Sequence, residues 1–431
     1  MAERGGTTLP PGVKGLSAVS LFNDFASEMV YPVLPAFITG PLGGSAVALG
    51  ALDGAADLTA AALRWVSGRL ADRPGWAKPL ILVGYGTAVL IRPVIAVAGA
   101  AWQVIGFRVI DRVGKGLRSP ARDAMIVSLT PPGLRGRAFG FHRAADHLGA
   151  VLGSLAAWAL LAARVDVRRV IGWSAIPGVV AVVVLLVVLK SVNSQQSTVN
   201  GKVETQGREE DGKTEGRKGG RTEREAAPVD RSPLTVDAAG KTFWLPIGVL
   251  VLLTAARLPE TLLLLRLQDL GVPIALVPLA WAALHVVRSG SSYPGGWLAD
   301  RAGVRGALAL GALLYAGAVA ALAGPLGAAV AVAVFLAHGV VAGLVEPAER
   351  LAVARLAPVR TGRGFGDYQG LSGLAALPAG VLFGELYLGW GGPAALLGSA
   401  LVLAAITPLW LRVGRSLGGA VRTGSGRSSA A

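Results

Sequence analysis

Gly68-Arg69-Leu70-Ala71-Asp72-Arg73 returns 228 residues further along the chain as Gly296-Trp297-Leu298-Ala299-Asp300-Arg301. Each copy lies where a long apolar segment gives way to a short basic loop. Two more pairs of segments repeat at offsets of 227 and 226 residues: Pro120-Ala121 with Pro347-Ala348, and Arg137-Ala138-Phe139-Gly140 with Arg363-Gly364-Phe365-Gly366. An offset shared by separate segments indicates that the chain contains two copies of one structural unit.

The composition is that of a membrane protein. Hydrophobic residues make up 53% of the 431 residues, the mean hydropathy is +0.56, and only 16% of the residues are charged, against about 25% in a soluble domain. Apolar runs of about 20 residues recur along the chain, and each is long enough to cross a bilayer as a helix. In such a chain, two tandem copies of one unit are typical of a secondary transporter built from parallel repeats.

The apolar pattern predicts an all-α membrane protein with twelve transmembrane helices in two pseudo-symmetric six-helix lobes. In chain order, the predicted helices 1 to 12 are 15–39, 44–71, 77–100, 102–127, 138–163, 169–190, 242–268, 272–299, 304–323, 325–348, 364–388 and 391–412. The predicted domains are an N-terminal lobe (1–190), a flexible cytoplasmic linker (191–241), a C-terminal lobe (242–413) and a disordered cytoplasmic tail (414–431). The linker and tail are polar and rich in Gly, so they cannot bury enough apolar surface to fold.

Basic residues are concentrated on one side of the predicted membrane. The net charge is +15. The Lys and Arg residues that indicate the orientation lie around the ends of every second predicted helix: Arg69, Arg73, Lys78, Arg118, Arg122, Arg135, Arg137, Arg301, Arg305, Arg350, Arg355, Arg360 and Arg363. Because cytoplasmic loops retain Lys and Arg, we predict a multi-pass protein of the cytoplasmic (inner) membrane with both termini cytoplasmic and no nucleic-acid partner. The connection 164–169, with three arginines on the opposite side, breaks this rule.

Several kinds of chemistry have no support in the sequence. The chain has no cysteine and three methionines, which disfavours thiolate metal sites and soft metal ions. Gly114-Lys115-Gly116 lacks the spacing and the preceding strand of a phosphate-binding loop, so ATP is not the expected energy source. We predict no enzymatic activity, no cofactor and no bound metal. The expected partners are a small-molecule substrate, protons and the lipid bilayer, and the expected state is a monomer.

The repeated segments resemble a known family. Gly68-x-Leu70-Ala71-Asp72-Arg73-x-Gly75 and Gly296-x-Leu298-Ala299-Asp300-Arg301-x-Gly303 are similar to the loop signature of the major facilitator superfamily, and the segment from Asp111 to Arg118 resembles its basic, Gly-containing helix 4 motif. Trp76 and Ala77 stand where the family usually has basic residues. The resemblance implies two lobes that rock around a site at the bilayer midplane, with helices 1, 4, 7 and 10 lining the central cavity.

The resemblance also implies a cytoplasmic gate. Asp72 ends helix 2, where it can pair with loop arginines and with the positive N-terminal end of helix 11. The alternative is that Asp72 only anchors the topology. The residues expected at this gate are Gly68, Asp72, Arg73, Arg118, Gly296, Asp300, Arg301, Glu346 and Asp367.

Two pairs of carboxylates are candidates for proton coupling. A charge near the bilayer centre costs about 2.5–3.5 kcal/mol on insertion scales, so it is retained only where it is paired or useful. Asp24 and Glu28 are one turn apart on helix 1 and share a face, which allows the two carboxylates to exchange protons. Asp53 and Asp57 are one turn apart on helix 2. The alternative for the second pair is permanent pairing with Arg92 or Lys115, which would hold the lobe together.

A further set of polar residues is expected to line the substrate cavity: Asn23, Tyr31, Arg112, Lys115, Arg257, Glu260, His285 and Arg288. On this pattern an acidic first lobe faces a more basic second lobe. Arg257 and Arg288 cannot release a proton, so they point to anion binding, unless Arg257 is paired with Glu260. His285 is open to two interpretations, a packed core histidine or a proton relay.

These observations predict a secondary active transporter that moves a small solute by alternating access. Proton-coupled efflux of an amphipathic or charged molecule, through a proton antiporter, is the preferred form. Import of an organic anion or metal complex is the alternative within transport, and it is favoured by Arg257 and Arg288. From a different class, the chain could be a transceptor that signals through the 191–241 linker. A membrane-embedded enzyme has the least support.

Overall fold

The computed structural model describes residues 8–43, 46–192, 236–273 and 276–417, which form helices and turns and no β-strand. Twelve helices of this described part correspond to the twelve predicted spans. They are α1 Pro11–Val30, α2 Ala46–Ala71, α3 Ala77–Val94, α4 Ala101–Leu129, α5 Arg135–Ala162, α6 Val167–Val192, α7 Val236–Ala255, α8 Val277–Ala302, α9 Val304–Ala323, α10 Ala328–Leu356, α11 Thr361–Trp390 and α12 Gly392–Val413. Short helices at Leu34–Thr39 and Glu260–Asp269 continue α1 and α7.

Seven helices in the described residues are long and apolar enough to span a membrane, namely α3, α5, α6, α9, α10, α11 and α12. The other five, α1, α2, α4, α7 and α8, are interrupted or carry polar and charged side chains. On α4, for example, five charged residues lie between positions 108 and 118. Such helices are stable in lipid only when their polar face is turned toward protein or a cavity. The chain is therefore an all-α, multi-pass membrane protein.

Prolines interrupt two helices that the sequence pattern predicted as continuous. Helix α1 ends at Val30, just before Pro32. Helix α7 ends at Ala255, and Pro259 precedes the next segment, because proline removes a backbone donor and keeps the preceding residue out of the helical conformation. Other helices satisfy the freed groups of the α7 break: the Leu258 N–H donates to the Tyr315 hydroxyl at 3.1 Å, and the Ser399 hydroxyl donates to the Ala256 carbonyl at 2.7 Å.

The helices pack as two groups that meet at two crossings. In the first lobe α5 packs on α1, and α4 packs on α2 and α3; in the second, α10 packs on α8 and α9, and α12 packs on α9. Between the lobes α2 lies against α11, and α5 lies against α8. One cluster of buried apolar side chains continues through both lobes, and a smaller one lies around the end of α1 and the start of α6.

Two boundaries differ from the predictions in a way that matters for function. Helix α10 extends to Leu356, beyond the predicted 348, so Arg350 and Arg355 belong to a helix and not to a connecting loop. Arg118 and Arg122 likewise lie within α4, which ends at Leu129. Residues 191–192 and 236–241, which were assigned to the linker, are helical. The rest of the predicted linker, 193–235, and tail residues 418–431 lie outside the described residues.

The basic connection 164–169 has a structural explanation. The Arg168 guanidinium donates to the carbonyls of Ala96 and Ala98 at 2.7 and 2.8 Å, and it lies 4.9 Å from the centre of the Phe37 ring. Arg168 thus satisfies carbonyls at the end of α3 that have no helical partner. Asp166 caps α6 by accepting from the Arg168 N–H at 2.9 Å. Arg168 therefore stabilises the packing of α6 against the end of α3. This role explains why an arginine lies on the side of the membrane that is predicted to have few basic residues.

We predict that Arg168→Met destabilises the protein, because the carbonyls at the end of α3 lose a charged donor. The expected loss is about 1.5–3 kcal/mol, seen as a lower melting temperature of the purified protein in detergent. Arg169→Met is the matched control, since the Arg169 side chain is exposed. Equal melting temperatures for the two variants would show that the Arg168 contacts contribute nothing to stability.

Candidate functional site: the interface and cavity between the lobes

The repeated aspartate of the first lobe binds the start of a helix in the second lobe. The Asp72 Oδ1 accepts the Gly362 N–H at 2.7 Å, and its Oδ2 accepts the Arg363 N–H at 2.8 Å. Both N–H groups belong to the first turn of α11, where backbone donors have no partner within the helix and the helix dipole is positive. The structure therefore places Asp72 at the end of α11 at which the sequence analysis expected it.

The second lobe repeats this contact in the opposite direction. The Asp300 carboxylate accepts the Gly136 N–H at 2.8 Å and the Arg137 N–H at 2.9 Å, both in the first turn of α5. The Arg137 side chain adds an ion pair at 3.6 Å. Each lobe thus caps a helix of the other, and the two contacts are related by the internal repeat.

Glycines allow the helices to come close enough for these caps. A Cβ atom built on Gly68 would lie 2.5 Å from the Gly362 carbonyl oxygen, and one built on Gly296 would collide with the backbone of Gly136. Small residues of this kind let transmembrane helices pack backbone to backbone. Between the two crossings, Phe139 and Phe365 from the repeated motif meet edge to face, with ring centroids 5.7 Å apart. Both rings are fully buried.

Ion pairs between the lobes continue inward from the caps. Arg69 on α2 pairs with the buried Asp367 on α11 at 3.0 Å. Arg350 on α10 pairs with Asp123 on α4, which also accepts the Gln369 amide at 2.7 Å. The interlobe contacts of Glu346 are with Arg143 at 3.8 Å and His147 at 3.4 Å.

Three residues that were predicted for the gate lie outside the interlobe contacts described above. Arg73 is exposed, and Arg301 covers the Trp297 ring of its own helix at 4.6 Å. The contacts of Arg118 are within the first lobe. It lies in the wall of a cavity, donates to the Gly84 carbonyl at 3.1 Å and covers the Tyr85 ring at 4.7 Å.

A cavity of about 390 Å³ lies between the lobes, next to the closed crossings. Its wall comes from α1, α2, α4, α5, α10 and α11. Six of the lining residues are cationic, two are acidic and the rest are neutral: Arg64, Lys115, Arg118, Arg122, Arg143, Arg350, Asp24, Asp146, Ser119, Tyr368, Gln369, Ser372 and Gly373. The first-lobe wall is therefore basic, which contradicts the predicted acidic first lobe.

Of the first-lobe residues predicted for coupling or the cavity whose side chains are described, only Asp24 and Lys115 line this cavity. Asn23 is instead a buried structural residue: the Arg92 guanidinium donates to its carbonyl at 2.9 Å and to its Oδ1 at 3.1 Å. Arg92 also pairs with Asp111 at 2.9 Å and, among the described side chains, not with the suggested partner Asp57.

The remaining first-lobe candidates lie away from this wall. Tyr31 is covered by the Arg108 guanidinium at 4.9 Å. Glu28 and Arg112 are partly buried but do not line the cavity, and Asp57 is exposed on α2. The side chain of Asp53 lies outside the described part of the chain.

The two arginines of the second lobe are paired with carboxylates. Arg257 pairs with Glu349 at 2.5 Å, and the second Glu349 oxygen accepts the Tyr368 hydroxyl at 3.1 Å. Arg288 pairs with Glu260. The predicted pairing of Arg257 with Glu260 is wrong, because the break in α7 places the two residues on opposite sides of Pro259. Arg257, Glu260 and Arg288 line a separate pocket of about 90 Å³.

His285 lies at the interface of the lobes. Its Nδ1 is 3.2 Å from the Nδ1 of His147 on α5, and the Trp281 ring packs edge-on at 4.9 Å. His147 in turn approaches Glu346. The sequence analysis did not name His147, since nothing in its local pattern links it to a histidine 138 residues away.

The sequence analysis did not assign Arg118 and Arg122 to the cavity, although their spacing from Lys115 indicated a shared helix face. Lys115, Arg118 and Arg122 are spaced at i, i+3 and i+7 and share one face of α4. Since a basic stripe on a buried helix needs a cavity or partners, this spacing could have located the wall. Arg64 stood alone in an apolar stretch and gave no comparable pattern. Asp123 was not predicted as a site residue, because it lies close to the predicted end of helix 4.

Comparison with known proteins identifies the family. The sequence profile of the Major Facilitator Superfamily matches residues 16–328. The chain therefore belongs to the Major Facilitator Superfamily. An uncharacterised protein of Mycobacterium bovis is 33% identical over 165 residues, which cover 37% of this chain and 40% of that protein. An uncharacterised MFS-type transporter of Methanocaldococcus jannaschii is 33% identical over 139 residues, covering 32% of this chain and 34% of the relative.

The multidrug resistance protein MdtH of Proteus mirabilis is 32% identical over 134 residues, covering 31% of this chain and 33% of the relative. The matches thus span about two fifths or less of these relatives. Among solved structures, the human organic anion transporter MFSD10 (TETRAN) superposes with a TM-score of 0.65 at 15% identity, covering 93% of this chain and 100% of that one. This likeness shows a shared fold.

We predict that Asp72→Asn and Asp300→Asn each weaken the closed crossings. An Asn side chain offers one acceptor and no charge, so each variant loses about 1–3 kcal/mol of interlobe stabilisation, which lowers the ratio of closed to open molecules by about fivefold to 150-fold. Distances between spin labels on the basic ends of α2 and α11 will report this shift. Asp166→Asn, at the other end of the bundle, is the control. Distance distributions equal to wild type in both variants would leave the aspartates as topology anchors.

Proposed function

We propose that the protein is a secondary active transporter that works by alternating access, with the 390 Å³ cavity as its substrate site. The observation that carries this proposal is the position of a charged cavity between two lobes that meet at paired helix crossings and are joined there by polar contacts. The caps at Asp72 and Asp300 and the pair between Arg350 and Asp123 all join one lobe to the other. Rocking of the lobes would break these contacts and open the cavity at the end that they now close.

The basic end of the bundle, where α2, α5, α8 and α11 cross, is assigned to the cytoplasm. Most arginines in or beside loops, such as Arg73, Arg135 and Arg360, lie at this end, and the connection 164–169 is the exception at the other end. Retention of positive charge on the cytoplasmic side supports this orientation. On that assignment, the structure is closed toward the cytoplasm, both lobes begin and end there, and the membrane is the inner membrane.

Proton coupling is assigned first to Asp24, with Glu28 one turn away. Asp24 lines the cavity and accepts the Asn23 amide at 2.8 Å, and in the described residues no cationic nitrogen lies within 4.0 Å of either carboxylate. A carboxylate that is not held in an ion pair is free to take up a proton as the lobes move. Asp24 therefore combines access to the substrate cavity with the ability to exchange a proton.

Export is the proposed direction, in exchange for protons. The name of the MdtH relatives, multidrug resistance proteins, supports efflux. Import of an organic anion is the second candidate, and the basic wall of the cavity favours an anionic solute in either direction. A sensor that signals through residues 193–235 is the alternative from outside transport, and it differs in moving no solute.

We predict that Asp24→Asn abolishes proton-driven transport but leaves exchange of solute across the membrane, because the cavity keeps its shape while losing its titratable group. Proteoliposomes loaded with a pH-sensitive dye will be tested with phthalate and with the cation ethidium. Asp57→Asn is the control, since that carboxylate lies outside the cavity wall. Proton movement in Asp24→Asn equal to wild type would remove this residue from coupling. Absence of flux for any solute in the wild type would favour the sensor.

A further inference from the structure

We infer that the cavity binds a small organic anion through Arg64 and Lys115, with a carboxylate or phosphate as the recognised group. This inference rests on the proposed function only for the cavity's role as a substrate site. It differs from the sequence-based expectation, which gave anion binding to Arg257 and Arg288.

Arg64 and Lys115 are cations without a carboxylate partner. In the described part of the chain, no carboxylate oxygen lies within 4.0 Å of a nitrogen of either side chain. The Arg64 Nε is buried and makes no hydrogen bond. By contrast, Arg257 and Arg288 are held by Glu349 and Glu260. Of these four cations, Arg64 and Lys115 are therefore the two available to a ligand.

The packing of α2 and α4 forces these two cations onto one part of the wall. A Cβ built on Gly116 would lie 2.5 Å from the Leu63 Cβ and 3.4 Å from the Arg64 backbone nitrogen, so the helices touch at the residues next to Lys115 and Arg64. The Arg64 guanidinium reaches toward α11, because a Cβ on Gly373 would lie 3.5 Å from its Nη1. Gly373 thus leaves room for the guanidinium at the face of the second lobe.

The charged side chains around the cavity do not balance, because the cations outnumber the carboxylates. Six cations and two carboxylates line the cavity. Direct ion partners of these residues add two more carboxylates, Asp123 with Arg122 and Arg350, and Glu346 with Arg143. Six positive charges and four negative ones leave a surplus of two. Because like charges repel strongly in a site of low dielectric constant, a bound dianion would compensate this surplus.

The chemistry of the side chains indicates the type of group. A guanidinium presents a planar set of donors that matches the two oxygens of a carboxylate or phosphate, and a lysine adds a compact point charge. Tyr368, Gln369 and Ser372 supply neutral hydrogen-bonding groups on the second-lobe side of the same cavity. A ligand with an oxyanion at one end and a polar body would contact both lobes.

The test is a thermal-shift series on the purified full-length protein with probes of one size and different charge: benzylammonium, benzamide, benzoate, phthalate and phenyl phosphate. A ligand of the folded state raises the melting temperature. We expect stabilisation by phthalate and phenyl phosphate, less by benzoate, and none by benzamide or benzylammonium. Stabilisation by benzylammonium alone would overturn the inference and assign the site to its carboxylates.

Variants locate the site. Arg64→Gln and Lys115→Gln should each weaken phthalate binding at least tenfold, and Arg64→Lys, which keeps the charge, should retain part of it. Arg257→Gln should leave phthalate affinity unchanged. Loss of binding in Arg257→Gln with full binding in Arg64→Gln would overturn the inference. Phthalate binding without flux would refute the transport proposal alone, and flux of ethidium without anion binding would refute the anion site alone.

Discussion

Two carboxylates, each capping a helix of the other lobe, are the contacts on which the closed arrangement depends. Asp72 accepts two N–H groups from the first turn of α11, and Asp300 accepts two from α5. These first-turn N–H groups have no partner within their own helices, and the positive end of each helix dipole favours a carboxylate. The caps are strong enough to join the lobes, yet they involve few groups and can be released together.

The close approach of the helices follows from the same requirement. A carboxylate reaches a backbone N–H only if the two helices nearly touch, and Gly68, Gly136 and Gly296 make that possible by removing side chains from the contact. Phe139 and Phe365 fill the space between the two crossings. Polar pairs such as Arg69 with Asp367 then line the interface inward from the caps. The repeated motifs therefore supply the glycines that allow the close helix spacing, the aspartates that cap the helices and the phenylalanines that fill the space between the crossings.

The two lobes handle buried charge in different ways. In the second lobe, Arg257 and Arg288 each have a glutamate partner, so this lobe keeps its charges internally balanced. In the first lobe, Asp111 neutralises the pair Arg92 and Arg108, but the wall of the cavity retains free cations. The two halves thus share the interlobe caps but differ in how they pair their buried charges. That division fits a family in which one scaffold carries different solutes.

The class of fold and the internal repeat could be predicted from the sequence, because apolar runs of spanning length define the helices. The resemblance of the repeated motif to the family signature also predicted Asp72 at the start of α11, since that contact uses backbone N–H groups that every helix start provides. The pairing of side chains deep in the membrane was decided by the tertiary structure alone. A proline break separated Arg257 from Glu260, and a glycine contact placed Arg64 beside Lys115. Such partners lie on different helices, and their distances depend on crossing geometry that periodicity does not encode.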